Sequence, residues 1–386
     1  MRKRLRVFFC VVATCGYAYS DTGEEIRGHD MSFEIFQEGG NLNAKKTGHD
    51  QYSMNISLPK DEGGRVAREC PNRDCSPGYF KVMNGTGITT GQAVAYCPYC
   101  RTTGEPSDFH TRAQIRYAKE MVTREATIGV QRALQQALGL GSGGKRRLVD
   151  GLISVDLEMK SSPTPHVSRP YEDVLRRDLI CPNCTLDHSV YGFAIWCADC
   201  GNDIFTTHVR NEIRVIEAIV SDVDRRRKEL GARVAARDLE NALEDMVSIF
   251  EATLKMEIRR HRKGKGDTEV AIETAMKKIG SRLQSVSHAV SIIPEHCDCA
   301  YLFPPDSADE VRLDRIFQKR HPITHNLGVV DKKYIERVRS GEAEGTEVRV
   351  EKSEIVDTAR ITFAVLSDLH SRLFPQPVTN SQALPV

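Results

Sequence analysis

Eight cysteines stand in four short-spaced pairs: Cys70 with Cys75 in CPNRDC, Cys97 with Cys100 in CPYC, Cys181 with Cys184 in CPNC, and Cys197 with Cys200 in CADC. One tight turn aims two thiolates at a single ion about 2.3 Å away, and a second turn completes a tetrahedron. The chemistry this spacing supports is structural zinc: one Zn2+ held by Cys70, Cys75, Cys97 and Cys100, a second by Cys181, Cys184, Cys197 and Cys200. A redox dithiol needs one reactive pair at a helix start, whereas repeated knuckle pairs suit closed, inert sites. Strand-type residues between the pairs, Tyr79 to Met83 and Tyr191 to Trp196, predict a hairpin in each ribbon. Cys297 and Cys299, next to His296 in HCDC, lack a second pair nearby, and packing is their expected role.

A second constellation lies near the carboxyl end, Arg320-His321-Pro322-Ile323-Thr324-His325. On a helix, His321 and His325 share a face one turn apart, with Arg320 beside them. A cation next to an imidazole is the chemistry of phosphodiester cleavage without metal. Arginine neutralises charge building on the phosphate oxygens, histidine moves the proton near neutral pH, and RNA supplies its own nucleophile in the 2′-hydroxyl. Pro322 is costly in a helix interior, so a kink or break is expected here. Glu240, Glu244 and Asp245, on the long helix of the same region, are candidate carboxylate supports for His325.

The elements that must carry these groups follow from periodicity. Thr111 to Leu138 reads as a helix, Gly139 to Gly144 as a break, and Leu148 to Met159 as strand. Gly139 to Arg146 approaches a phosphate-loop pattern, but Arg146 replaces the required Ser or Thr and a helix precedes it, so it reads as a linker. Ser161 to Pro170 is a second hinge. From Asn211 onward the texture is helical: Glu212 to Leu230, Ala232 to Arg260, Asp267 to Leu283, Asp309 to Asn326 and Glu354 to Phe374, a bundle of four or five helices. The basic run Arg259 to Lys263, with Lys265, reads as a solvated cap of a helix C-terminus, where cations complement the dipole; contact with RNA is the alternative. The fold class is α+β multidomain: two small β zinc ribbons with a linking helix and strand, then an all-α bundle. The expected divisions are 1–30, a signal-like or mis-assigned start; 54–160, a first ribbon and sensor module; 171–208, the second ribbon; 211–374, the bundle; and 375–386, a flexible tail.

The R-x4-H spacing from Arg320 to His325, a polar residue directly after the arginine, its place in a late helix of a bundle, and the following Asn326-Leu327-Gly328-Val329-Val330-Asp331 together resemble the HEPN ribonuclease superfamily. That resemblance covers about 211–374. It implies metal-independent cleavage of single-stranded RNA in a composite cleft between protomers of a homo-oligomer, with Arg320 and His325 as the catalytic pair and His321 orienting them. Fused to zinc ribbons, such a bundle resembles the ring-activated zinc-finger ribonucleases of bacterial antiphage defence. This implies a latent toxin whose amino-terminal region senses a ring-shaped phage protein. The alternative is a non-catalytic zinc-ribbon adaptor that binds nucleic acid or protein and dimerises through its bundle.

Composition bounds all of this. The chain has 386 residues, 54 Lys+Arg against 53 Asp+Glu for a net charge of +1, so any basic site must be local rather than a whole-chain coat. At 40% hydrophobic and 28% charged it falls in the globular range. No apolar run reaches the roughly 18 residues of a membrane span. Met1 to Ser20 has a basic start, an apolar stretch and an Ala18-Tyr19-Ser20 ending like a signal-peptidase site, but four metal-type cysteine pairs belong in a reducing compartment. Met31 or Met54 as the true start removes the conflict, and a cytoplasmic protein is the expectation.

Overall fold

Tyr52, Met54 and Ile56 alternate with less buried neighbours along Gln51–Ser57, and in the computed structural model this run is a strand with its apolar side chains inward. The structure describes residues 4–10, 35–37, 42–48, 51–140, 144–149, 155–160, 163–170, 174–175, 177–338 and 342–375. The chain divides into two compact units, Met1–Asp203 and Ile204–Val386.

In the first unit, β1 (Arg4–Cys10) and β2 (Lys45–Gly48) flank β3 (Gln51–Ser57) in an antiparallel sheet. Its core of Tyr52, Met54, Ile56, Phe36 and Leu42 packs on Ala118 and Val122 of α1 (Arg112–Ala137). Thr111 caps α1 in a reciprocal box with Gln114, whose amide also reaches the Ala67 carbonyl at 3.0 Å. Met54, considered above as an alternative start, is fully buried in this core. The signal-peptidase-like Ala18-Tyr19-Ser20 and the tail from 376 lie outside the described residues, as does part of the Gly139 to Gly144 break.

The second sheet of this unit joins both cysteine regions. Its order is β10 (Arg177–Ile180), β11 (Asp187–Val190), β5 (Tyr79–Met83), β4 (Arg65–Glu69), all antiparallel. The stretches 54–160 and 171–208, expected as separate modules, share this sheet, because β5 of the first is hydrogen-bonded to β11 of the second. Tyr79 to Met83 is the strand expected, but Tyr191 to Trp196 is not; the strand lies just before it, at Asp187–Val190. Two short pairs complete the unit, β6 (Ala95–Tyr96) with β7 (Thr103–Gly104), and β8 (Lys145–Val149) with β9 (Val155–Glu158). The stretch Leu148 to Met159, expected as one strand, instead takes in the end of β8 and the whole of β9, two strands that pair antiparallel.

The second unit is helical. An antiparallel pair, α2 (Phe205–Leu230) and α3 (Ala232–Gly264), turns at Gly231, where φ is +98°, a value that excludes most side chains. Val209, Ile213, Ile216 and Val220 on α2 and Leu239, Leu243, Met246 and Phe250 on α3 give each an apolar stripe at three and four spacing. The set is completed by α4 (Glu269–Ile279), α5 (Val286–Cys297), α6 (Ala308–Gln318), α7 (Arg320–His325), α8 (Lys332–Val338) and α9 (Lys352–Leu373). The eight helices described here exceed the four or five expected, because α5 and α8 carry too few periodic turns to stand out. The expected helix from Asp309 to Asn326 is two helices, broken at Lys319, three residues before Pro322. Among the described residues no helix is long and apolar enough to cross a membrane.

Candidate functional site

Three of the four cysteine turns share one geometry. The N–H of Arg101, Thr185 and Gly201 donates to the carbonyl of Cys97, Cys181 and Cys197 at 3.1, 3.0 and 3.0 Å, and each of these residues is left-handed, at φ of 62°, 61° and 66°. Only at 201 is that residue glycine, and there a Cβ would meet the Tyr96 ring at 2.7 Å. The N–H of each leading cysteine is closed by Thr102, Leu186 or Asn202 at 2.9 Å, which fixes both sulfurs on one side of the turn.

The sulfurs converge as the spacing predicts. Cys70, Cys75, Cys97 and Cys100 form one group and Cys181, Cys184, Cys197 and Cys200 another, each with its Sγ atoms within 4.8 Å of one another. Cross-turn Sγ···Sγ distances are 3.6 and 3.7 Å in the first and 3.7 and 3.5 Å in the second. A tetrahedron of sulfurs around zinc at about 2.3 Å has edges of about 3.8 Å, so both groups fit one ion each. The ten cysteines whose side chains are described are free thiols. Crowding makes the sulfurs unequal: hydrogen bonding from Cys97 drops the Cys100 thiol to about 4, and the hydrogen bond to Cys100, then burial, pushes Cys97 up. The two sites also touch. The Pro98 carbonyl accepts from the N–H of Ile195 and Trp196 at 2.8 and 3.1 Å, and the Arg101 guanidinium lies 4.2 Å from the Trp196 ring centre. Cys297 and Cys299 belong to neither group, and among the described residues these two four-cysteine sets are the metal-type clusters.

In the helical unit the structure brings Arg320, His321 and His325 together on α7, lining a cleft of about 250 Å³ with Arg282, His288 and Arg337. None of the described residues lining it is a carboxylate. The His321 and His325 ring centres are 5.1 Å apart. Burial first, then the neighbouring Lys333 and His325, lowers the His321 pKa from its ordinary 6.5, so that ring is neutral at pH 7. His325 is exposed.

Arg320 is held from one side. Its Nη1 donates to Gln284 Oε1 at 2.7 Å, while its Nε is buried without a hydrogen-bond partner. Gln284 is turned by Glu251, whose Oε2 accepts from Gln284 Nε2 at 2.7 Å, and Lys255 donates to the other Glu251 oxygen at 2.6 Å. The break before α7 is anchored by Lys319, which is buried and donates to both Glu354 oxygens at 2.6 and 2.9 Å and to the Arg349 carbonyl at 2.7 Å. The segment after α7 explains its own residues. Asn326 Nδ2 closes a turn on the Val329 carbonyl, Gly328 is left-handed at φ +85°, and Asp331 accepts from the Tyr334 N–H to start α8.

Two of the carboxylates considered as supports for His325 are engaged elsewhere. Glu244 accepts from the Thr324 hydroxyl at 3.0 Å, and Glu240 pairs with Arg233 and Arg237. Asp245 has its pKa raised by burial and by nearby Glu244 and Glu212. Most of the basic run is paired with neighbouring elements: Arg259 with Glu273, Arg262 with Asp267, Lys265 with Asp298, and Arg260 lies 3.8 Å above the Phe374 ring. Gln284 and Glu251 were not visible from the sequence, because a lone Gln and a helical Glu carry no spacing signal. Compared with protein-family profiles, curated proteins and solved structures, the chain matches none.

Proposed function

We propose that the helical unit is a metal-independent endoribonuclease of the HEPN type, with Arg320 and His325 acting on the scissile phosphodiester. The observation that carries this is the cleft in which Arg320, His321 and His325 meet three further basic or imidazole side chains, with no carboxylate among the described residues lining it, a lining suited to a phosphate and ill suited to a hard cation such as Mg2+ or Ca2+. The buried, unpartnered Nε of Arg320 is a donor waiting for an acceptor, and a phosphate oxygen satisfies it.

In this reading the RNA backbone lies across α7. The His325 imidazole takes the 2′-hydroxyl proton as O2′ bonds to phosphorus. The free edge of Arg320 neutralises the oxygens of the pentacoordinate phosphorus, and the bond to the 5′-oxygen breaks, that oxygen taking a proton from solvent. The products are a 2′,3′-cyclic phosphate and a 5′-hydroxyl. Neutral His321 orients substrate or His325 by hydrogen bonding.

The two four-cysteine sites hold structural zinc and take no part in the chemistry. Pairing of two cleft-bearing units in a homo-oligomer, the ring-shaped phage trigger and the latent-toxin role rest on the family resemblance alone. The competing adaptor reading keeps the zinc sites and gives Arg320 and His325 no reaction. The test is incubation of zinc-loaded wild type, Arg320→Ala and His325→Ala with single-stranded RNA in a brief EDTA treatment, with zinc measured afterwards. Cleavage by wild type alone supports the ribonuclease. No cleavage, with RNA still bound, supports the adaptor.

A further inference from the structure

The first unit contains a cavity of about 370 Å³, within the roughly 300–1,000 Å³ of small-molecule sites, that neither zinc centre uses. Its floor is the face of β4 and β5, where Val66 lies opposite Val82 and carries apolar walls on to Leu58 and Ile88. Its rim comes from Thr89 and from Ser107, both exposed, the latter in the 3-10 turn Pro106–Phe109.

Arg68 of β4 lines this cavity with a side chain only 6% exposed. Its Nη1 is buried and makes no hydrogen bond; the nearest counter-charge is Asp199 Oδ1, 3.6 Å away and fully buried. Burying a guanidinium donor without an acceptor is costly, and such a group implies a missing partner. Asp199 supplies the opposite charge at 3.6 Å but no hydrogen bond to Arg68, and its oxygens are drawn to the loop instead: Oδ2 accepts from the Ile88 N–H at 3.2 Å and Oδ1 from Gln92 Nε2 at 2.9 Å. These bonds pin the loop that walls the cavity, and Gly87 (φ +71°) lets it approach, since a Cβ there would run into Asp199 and Leu186.

Asp199 already neutralises Arg68, so a second anion would enter a buried site beside a carboxylate, which is unfavourable. A neutral acceptor is not penalised. The remaining polar groups, Asn84, Gln92, Ser107 and His110, are amide, hydroxyl and imidazole, and burial first of all lowers the His110 pKa so that this ring is neutral too. We infer that this cavity is a binding site for a small, uncharged, flat heterocycle with carbonyl acceptors, of nucleobase or nucleoside size, whose acceptor takes the free Nη1 hydrogen of Arg68. Asp199 sits between Cys197 and Cys200, so the wall of this site is built on the second zinc turn.

The test is calorimetric titration of the zinc-loaded full chain with adenosine, guanosine, cytidine and uridine, with inorganic phosphate and benzoate as anionic controls. The expected result is saturable binding of at least one of guanosine, cytidine and uridine, whose bases carry a ring carbonyl, with adenosine weaker and neither anion bound. Arg68→Met, and separately Ser107→Trp, which plugs the rim without touching the sheet, should each weaken binding at least about tenfold. Arg320→Ala, in the other unit, should leave it unchanged. Absence of saturable nucleoside binding overturns the inference, as does binding that survives Ser107→Trp or that phosphate or benzoate reproduces.

Discussion

Arg320 and Gln284 are joined by a 2.7 Å hydrogen bond whose direction is set from behind: Glu251 can only accept, so it takes the Gln284 amide hydrogens and leaves Oε1 facing the guanidinium. The arginine is thereby held by Nη1, while its buried Nε makes no hydrogen bond.

Gln284→Met removes that acceptor without adding charge. A hydrogen bond to a charged group contributes about 1.5–3 kcal/mol, so RNA cleavage should fall about 10- to 100-fold, chiefly in kcat. Steady-state kinetics beside unfolding curves checks this. A loss explained wholly by instability contradicts the positioning role.

Lys319, the residue at the break between α6 and α7, is buried on Glu354 and the Arg349 carbonyl. Lys319→Met leaves Glu354 without its partner and should destabilise the helical unit by about 2–3 kcal/mol, towards the low end for buried pairs because Glu354 is partly exposed. Urea unfolding followed by circular dichroism measures it, and an unchanged midpoint rejects the anchoring role.

How far these features were legible in the sequence follows from their range. The cysteine pairs announced both sulfur clusters, because a knuckle is a local device set by a few residues. Arg320, His321 and His325 were likewise visible, being one turn of chain. The shared sheet was not, since β5 and β11 are over a hundred positions apart and nothing in either hairpin names its partner. Gln284 and Glu251 were hidden for the same reason. The residues Asn326 to Asp331 read as a motif and turn out to be a turn, a left-handed glycine and a helix cap, each a local necessity.

The contact between the two sulfur sites gives a metal prediction. Purified chain should carry close to two zinc ions, and Cys184→Ser should leave at most one. Because Pro98 accepts from Ile195 and Trp196, the surviving site should bind zinc about tenfold more weakly than in wild type, in keeping with coupling of about 0.5–3 kcal/mol between touching sites. Competition with a chromogenic chelator reads this directly. Unaltered affinity at the surviving site means two independent modules.

His321 gives a pH prediction. Its folded pKa lies below the 6.5 of the unfolded chain, so near and just below that pH the unfolded state binds more protons. Its contribution to stability is therefore intact at about pH 7.5 and is lost as pH falls from 6.5 through the folded value. Urea midpoints at about pH 5.5 and 7.5 should differ less in His321→Gln than in wild type. An equal difference contradicts the assignment.

The central claim is tested most directly by the ends left on a single-stranded RNA oligonucleotide cut by zinc-loaded protein, read by mass spectrometry for wild type and His325→Ala. The ribonuclease account predicts 2′,3′-cyclic phosphate and 5′-hydroxyl ends from wild type, no cutting at a 2′-deoxy position, and loss of cleavage in His325→Ala. No cleavage by wild type, 3′-hydroxyl ends, or cleavage undiminished in His325→Ala would contradict it.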